Sequence, residues 1–322
     1  MSLVLRVHTV GGPEALQVEE VEVPAPGPGE VQLRQTAVGL NFIDVYFRTG
    51  LYPAPLPFVP GQEGAGVVTA LGEGVTTLRV GQRVAYAGLA GAYAQVRNAP
   101  AARLVALPDG VDDVTAAAVM LKGMTAEYLL MRCRPVGPGD VVVFHAAAGG
   151  VGTLATQWAR HLGATVIGVV GRREKLALAA RFCHHVVVLA EEDLVARVRA
   201  LTGGVGAHVV YDSVGKDTVV ASLDALAPRG MLVSFGQSSG KPPPLDLVAL
   251  GGPRSLFVTR PSLHAYTHSR AELEQSASAL FEVLQRGVVK VDPPRLFSLR
   301  EASAAHCALE ARETTGSVVL VP

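Results

Sequence analysis

The chain opens on short apolar runs broken by Gly and Pro. "LVLRVHTV", "VQLRQTAVGL", "GAGVVTALG", "RVAYAG" and "YAQVR" are Val-rich, and most alternate apolar with polar positions. A period of two predicts strands with one buried face. Pro24-Ala25-Pro26-Gly27-Pro28-Gly29 is turn chemistry between such strands. Residues 1 to about 110 therefore predict a small antiparallel, barrel-like domain.

Near Asp112 the period changes. "DDVTAAAVMLKGMTAEYLLMRC" is rich in Ala and Leu, with apolar positions at helical spacing and acidic residues at its start. "RPVGPGD" stops it. Beyond it, continuous apolar strands alternate with amphipathic helices. Strands are expected at 141–145, 165–170, 185–189, 208–212, 231–235 and 255–260, and helices near 150–162, 173–182, 191–201 and 217–227. That alternation predicts a parallel sheet covered on both faces. A helix, "RAELEQSASALFEVLQRG", and a strand, "GSVVLVP", close the chain. The last strand has no partner in the helical half. It is expected to return to the first domain, with the α/β unit inserted between the two parts.

The turn after the first parallel strand carries a chemical signal. "FHAAAGGVG" joins the strand 141–145 to a helix through Ala146, Ala147, Ala148, Gly149, Gly150 and Gly152. A dinucleotide fold needs small residues there, because backbone must approach a pyrophosphate and the helix N-terminus must face it. The pattern is AxxGxxG, weaker than a full GxGxxG, and a tight turn against a packed helix would use the same residues. Its setting, strand then helix then strand, favours the nucleotide.

The end of the second parallel strand selects which nucleotide. NAD sites usually place an acidic residue there. This strand ends Gly171-Arg172-Arg173-Glu174-Lys175. Two charge-assisted bonds to a 2′-phosphate, at roughly 1.5–3 kcal/mol each, would favour NADPH by roughly 10²- to 10⁴-fold before screening. A solvated basic helix start is the bland alternative, but cations are disfavoured at a helix N-terminus. The later strand ends "VVYDSVG" and "LVSFGQSSG" fall on the same sheet edge, making Val214, Phe235, Gly236, Gln237 and Ser238 candidate cofactor neighbours.

Bulk properties narrow the classes. The 322 residues allow one large domain or two ordinary ones, and 49% hydrophobic content supplies a sizeable core. Lys+Arg and Asp+Glu balance at 28 each, which gives no support for nucleic-acid binding. Cys133, Cys183 and Cys307 form no CxxC pair, so neither a disulfide framework nor a cysteine zinc site is expected. A reducing, cytoplasmic compartment fits. There is no uninterrupted apolar run of about 20 residues, so no membrane span is expected, and "MSLVLRVHTVGGPE" is no signal peptide.

Taken together, these residues resemble the zinc-free medium-chain dehydrogenase/reductases, in the NADPH:quinone oxidoreductase or zeta-crystallin branch. The resemblance covers essentially the whole chain. It rests on "VGLNFIDVYFRTGLYP", "PGQEGAGVV", "LKGMTAEYLL", "FHAAAGGVG", "VVYDSVG", "VSFGQSSG", "FVTRPSL" and "TTGSVVLVP". It implies a Rossmann doubly wound parallel sheet inserted into a GroES-like β-barrel domain. The barrel domain would take residues 1–122 and 264–322, and the NADPH domain 123–263. It also implies a quinone-like acceptor, commonly a homodimer, and a nicotinamide held in an interdomain cleft. Positions matching similar proteins include Asn41, Tyr46, Thr125, Gly150, Val151, Gly171, Lys175, Arg260, Pro261, Ser262 and Arg312. One departure is Leu189, where similar proteins often place a Tyr near the adenine-side phosphate, with Arg172 and Arg173 as compensating charge.

In zinc-dependent relatives the metal ligands are a Cys, a GHE-type His and a second Cys. By motif position these fall on Asn41, Gln62 and Leu121, so no metal is expected. A quinone suits a site without a Lewis acid, because it is already electrophilic. "NFIDVYFRTGLY" offers an aromatic slot with Asn41 and Asp44 as polar groups, and Tyr46 or Tyr52 as hydrogen-bond donors to the acceptor. The same residues suit plainer roles: Asn41 as a helix cap with Asp44 three positions on, Tyr46 and Tyr52 as packing. His145 is expected to be structural. Two other functions remain open: reduction of an activated alkene such as an enone or enoyl thioester, and an NADPH-binding structural or RNA-associated protein with low turnover.

Overall fold

The computed structural model describes all residues from Met1 to Pro322. The chain divides into two compact units. One holds Met1–Met124, Thr267–Gln285 and Val291–Pro322; the other holds Thr125–Tyr266 and Arg286–Lys290.

The first unit is built on a seven-stranded sheet whose long central strand, Glu30–Leu40, pairs antiparallel with Glu63–Leu71, Val96–Pro100 and Val318–Val321. Inward positions of that strand, Val31 and Leu33, are fully buried, as the alternation predicts. The closing strand Val318–Val321 does return to this sheet: Val318, Val319 and Leu320 lie opposite Leu40, Gly39 and Val38. An additional strand, Gln17–Val21, pairs with Ser2–Arg6. Its pattern was not readable as a strand because Glu19 and Glu20 interrupt the apolar positions. The "YAQVR" strand sits later than expected, at Val96–Pro100.

The second unit is a six-stranded sheet in which every pairing is parallel. Counted within the unit, the strand order is 3-2-1-4-5-6, the arrangement of a dinucleotide-binding doubly wound fold. Val142, Val143 and Phe144 of the first strand are all buried, consistent with a sheet covered on both faces. Two expected helices are shorter than anticipated. The helix anticipated over 217–227 is only Val219–Asp224, and a strand runs over Leu226–Ser234. Pro228 explains the early stop, since proline lacks the N–H a helix interior requires. The helix anticipated over 173–182 is likewise split into a 3₁₀ turn, Arg173–Lys175, and a short helix, Leu176–Ala180.

The apolar segment Asp113–Cys133 is long enough to cross a bilayer, with a mean hydropathy of 1.2 over its best window. Yet 78% of that window is buried inside the protein, which is how a core helix behaves.

Asp212 shows how the second unit spends a buried charge. It closes the strand Ala207–Asp212 and is fully buried. Its carboxylate accepts the N–H groups of Val214 and Gly215 and the hydroxyls of Thr218 and Ser222, at 2.7–3.0 Å. Ser222 Oγ also lies 2.9 Å from His145 Nε2. His145 is therefore part of a buried polar brace that fixes the loop carrying Val214.

Candidate functional site

The parallel sheet brings the ends of its strands to one edge. At the first, Ala146 adopts a positive φ of 51°, and Gly149 then caps the helix Gly150–His161. The first intrahelical bond here runs from the Thr153 N–H to the Gly149 carbonyl. The N–H groups of Gly150, Val151 and Gly152 thus have no acceptor within the helix, which makes the end an anion site. Gly152 permits the arrangement. A Cβ there would lie 2.3 Å from the Ala146 carbonyl oxygen and 2.7 Å from Ala147 Cα.

At the second strand end, Gly171 is exposed and a Cβ on it would meet nothing within 4 Å, so the edge is open. Arg172 is exposed beside it, and Lys175 is half-buried. Arg173 turns instead to Glu191, with Nε 2.9 Å from its carboxylate. Leu189 hydrogen-bonds through its N–H to the Val170 carbonyl and is 37% exposed, so an apolar surface flanks the cations.

The fourth, fifth and sixth strand ends converge on one loop cluster. Phe235 N–H donates to the Asp212 carbonyl, Ser238 N–H to Ser213, and Ser239 N–H to Val214. Gly236 packs so closely that a Cβ would stand 2.7 Å from the Ser213 carbonyl oxygen. Arg260, just past the sixth strand, donates to the carbonyls of Ser234 and Gly236 at 3.1 and 3.3 Å. Pro261 and Ser262 follow it, and Gln237 is buried. Thr125, buried in the same unit, opens it in sequence. The residues present fit a phosphorylated dinucleotide: bare backbone at one strand end, cations at the next, and a polar loop at the others.

The remaining candidates, Asn41, Tyr46, Tyr52 and Arg312, lie in the first unit. Arg312 ends a helix with a positive φ of 61° and is exposed. Asn41 caps the helix Phe42–Arg48 in a capping box with Asp44, whose carboxylate accepts the Asn41 N–H at 2.9 Å. Its side-chain amide donates at 2.8 Å to Glu63, a fully buried carboxylate. Glu63 also accepts the Leu121 N–H at 2.6 Å and pairs with the Lys122 ammonium at 2.5 Å. Tyr46 is buried and Tyr52 packs edge-on to it, ring centroids 5.2 Å apart, with Phe47 and Phe42 alongside.

Sequence reasoning missed Glu63, Lys122, Tyr93 and His306. The first two had a visible signal: a Glu opening an apolar strand and a Lys inside "AAAVMLKGM". Charges at such positions are rarely buried unless paired.

Two family models match the chain. One, described as an alcohol dehydrogenase GroES-like domain, matches residues 27–134; the other, a zinc-binding dehydrogenase, matches 150–280. A protein named quinone oxidoreductase from Pseudomonas aeruginosa is 49% identical, with 97% of each chain covered. The chain belongs to the quinone oxidoreductase branch of the medium-chain dehydrogenase/reductases. A protein of this family named 2-haloacrylate reductase, from a Burkholderia species, is 48% identical over 98% of each chain. The crystal structure of Escherichia coli quinone oxidoreductase complexed with NADPH superposes with a TM-score of 0.97 at 45% identity, covering 99% of this chain and 100% of that one.

The zinc in one family description can be tested on the donor set. Asn41, Gln62 and Leu121 offer two amides and an alkyl group, and the neighbouring Lys122 ammonium is paired with Glu63. These residues do not fit a zinc ion. No cluster of three or more His, Cys, Asp or Glu side chains suited to a metal occurs.

Replacing Gly152 by Ala drives a Cβ into the backbone of Ala146 and Ala147. Denaturant unfolding is expected to show a loss of about 1–3 kcal/mol. Titration calorimetry should show NADPH binding weakened by roughly tenfold or more, a change of about 1.4 kcal/mol. Unchanged binding and stability would mean that the helix does not depend on this approach.

Proposed function

We propose that this chain is an NADPH-dependent quinone oxidoreductase that works without zinc. The donor set around Asn41 carries the reading: an amide held by a Glu–Lys pair, with aromatic rings close by in sequence and space, offers no Lewis acid. An acceptor reduced there must be electrophilic on its own, as a quinone is. NADPH, when bound, supplies the hydride. The protein's share is orientation and exclusion of water. Gly150 and Val151 hold the pyrophosphate through backbone N–H groups, and Arg172 and Lys175 recognise the 2′-phosphate. Arg173, drawn to Glu191, contributes less than its neighbours. The relatives named quinone oxidoreductase, one of them solved with NADPH, support both the acceptor and the cofactor.

Residues 1–122 and 264–322 form the catalytic domain in this reading, and 123–263 the cofactor domain. Asn41, Tyr46 and Tyr52 would contact the acceptor, and Thr125, Arg260, Pro261, Ser262 and Arg312 the nucleotide. Three free cysteines suit a reducing, cytoplasmic compartment.

Reduction of an activated alkene is the second reading, favoured by the similarity to the protein named 2-haloacrylate reductase. Both reactions use the same hydride. They differ in needing, for the alkene, a proton donor beside the carbon α to the activating group.

The protein is expected to act as a homodimer. The edge strand Phe257–Thr259 of the parallel sheet exposes Phe257 and Val258 at 56% and 38%. An open, apolar edge strand is a pairing surface unless covered. Phe257→Asp with Val258→Asp should shift size-exclusion elution from dimer to monomer, whereas a wild-type monomer would refute the assignment.

Steady-state oxidation of NADPH is expected with 1,2- or 1,4-quinones. Turnover with enones and none with quinones would transfer the assignment to the second reading; tight NADPH binding with neither would make this a binding protein. Arg172→Ala with Lys175→Ala should raise the Kd for NADPH by roughly 10²-fold or more while leaving that for NADH nearly unchanged. Equal weakening of both would show that these cations do not read the 2′-phosphate.

A further inference from the structure

Asn41 is gripped by two buried carboxylates that are not alike. Glu63, on its side-chain amide, has a cation partner in Lys122. Asp44, on its backbone N–H, is 1% exposed and has no ion pair. Its Oδ2 accepts from Asn41 N–H at 2.9 Å and from the Tyr93 hydroxyl at 3.3 Å. Its Oδ1 is buried with no hydrogen-bond partner at all.

Tyr93 is one link of a directed chain. Its hydroxyl lies 2.9 Å from His306 Nε2, and His306 Nδ1 lies 3.1 Å from Arg48 Nη1. Arg48 is fully buried and forked onto the Glu310 carboxylate at 2.8 and 2.9 Å. A guanidinium only donates, so Nδ1 must accept. Burial, reinforced by Arg48, lowers the His306 pKa to about 3, so the ring is neutral and its proton sits on Nε2. That N–H donates to the Tyr93 oxygen, which leaves the Tyr93 O–H to donate to Asp44. Each bond fixes the direction of the next, from Glu310 inward to Asp44.

We propose that Asp44, Tyr93 and His306 form an ionisation-controlled clamp that positions Asn41. The proposal rests on the reading of Asn41 as a residue of the quinone site. A helix cap needs no such device. Asn or Ser at the Asp44 position would accept a hydrogen bond without burying a charge beside Glu63. An unpaired buried carboxyl that structure alone would not retain is a mark of function.

The groups facing Asp44 come from several elements. They are Asn41 at the cap of its own helix, Glu63 and Tyr86 from strands, Tyr93 from a loop, and Lys122 from the helix Asp113–Glu127. Burial dominates and, with Glu63, raises the Asp44 pKa to about 7, against the lowering effects of Asn41 N–H, Lys122 and Tyr93. Once ionised, the carboxylate accepts shorter and stronger bonds, and the clamp on Asn41 closes. Once protonated, it is a weaker acceptor, and the clamp loosens. Tyr93 and His306 set the pH at which this happens, because a hydrogen bond to the charged form favours that form.

The test is an NMR titration of the Asn41 backbone amide in the full-length chain from pH 5.5 to 9, alongside the pH profile of kcat/KM for NADPH and a 1,4-naphthoquinone. The amide should titrate with a midpoint near 7, and the kinetic profile should show the same midpoint. Tyr93→Phe and His306→Leu should move both midpoints upward, His306→Gln should restore them, and Asp44→Asn should abolish both titrations. Thermal melts check the same group independently. Its folded pKa is raised from 3.8, so its contribution to stability is full below that value and is lost as pH rises to about 7. Asp44→Asn should therefore gain melting temperature over wild type at pH 8 and much less at pH 5. A flat Asn41 amide in the wild type, or a midpoint unmoved by Tyr93→Phe, overturns the clamp. If the amide titrates as described but quinones are not turned over, the quinone reading of Asn41 falls and the clamp stands.

Discussion

The nucleotide edge depends on one close approach, that of the first turn of the helix Gly150–His161 to the backbone of Ala146 and Ala147. No side chain fits between them at Gly152. The approach places three free N–H groups, and the positive end of the helix, at the C-terminal edge of the sheet. The remaining strand ends fall into line because all six strands are parallel, so residues far apart in sequence share that edge. Gly236 repeats the device against Ser213, and Asp212 ties down the loop between them.

The first unit spends its polar groups differently. Around Asn41 and its helix it buries two carboxylates, an ammonium and a guanidinium: Asp44, Glu63, Lys122 and Arg48. A buried ion pair often contributes little net stability relative to an apolar replacement. The pairs Glu63–Lys122 and Arg48–Glu310 are better explained by what they hold in place. Glu63 fixes the Asn41 side chain, and Arg48 fixes the tautomer of His306. An ammonium and an amide occupy the neighbourhood that zinc chemistry would require for soft ligands.

Much of this was legible in the chain itself. The second unit's strands announce themselves as continuous apolar runs, since both faces are buried, and their ends carry the chemistry as Gly, Arg and Ser. The return of the last strand followed from its having no partner among the helices. The errors have local causes. Pro228 ends a helix that apolar periodicity extended, and Glu19 and Glu20 mask an edge strand that buries little. The capping of the helix by Asn41 with Asp44 was readable, but the links from Asp44 to Tyr93 and His306 were not. Asp44, Tyr93 and His306 span more than 250 positions, and neither spacing nor period connects them. Arg173 shows the same limit on a smaller scale: its charge was visible in sequence, but its pairing with Glu191 was not.

A crystal structure of the protein with NADPH bound decides whether this sheet edge holds the nucleotide. Pyrophosphate oxygens are expected at roughly 2.7–3.2 Å from the N–H groups of Gly150 and Val151, with the 2′-phosphate beside Arg172 and Lys175. A nucleotide seated elsewhere, or a 2′-phosphate facing solvent with no cation in reach, would contradict this placement.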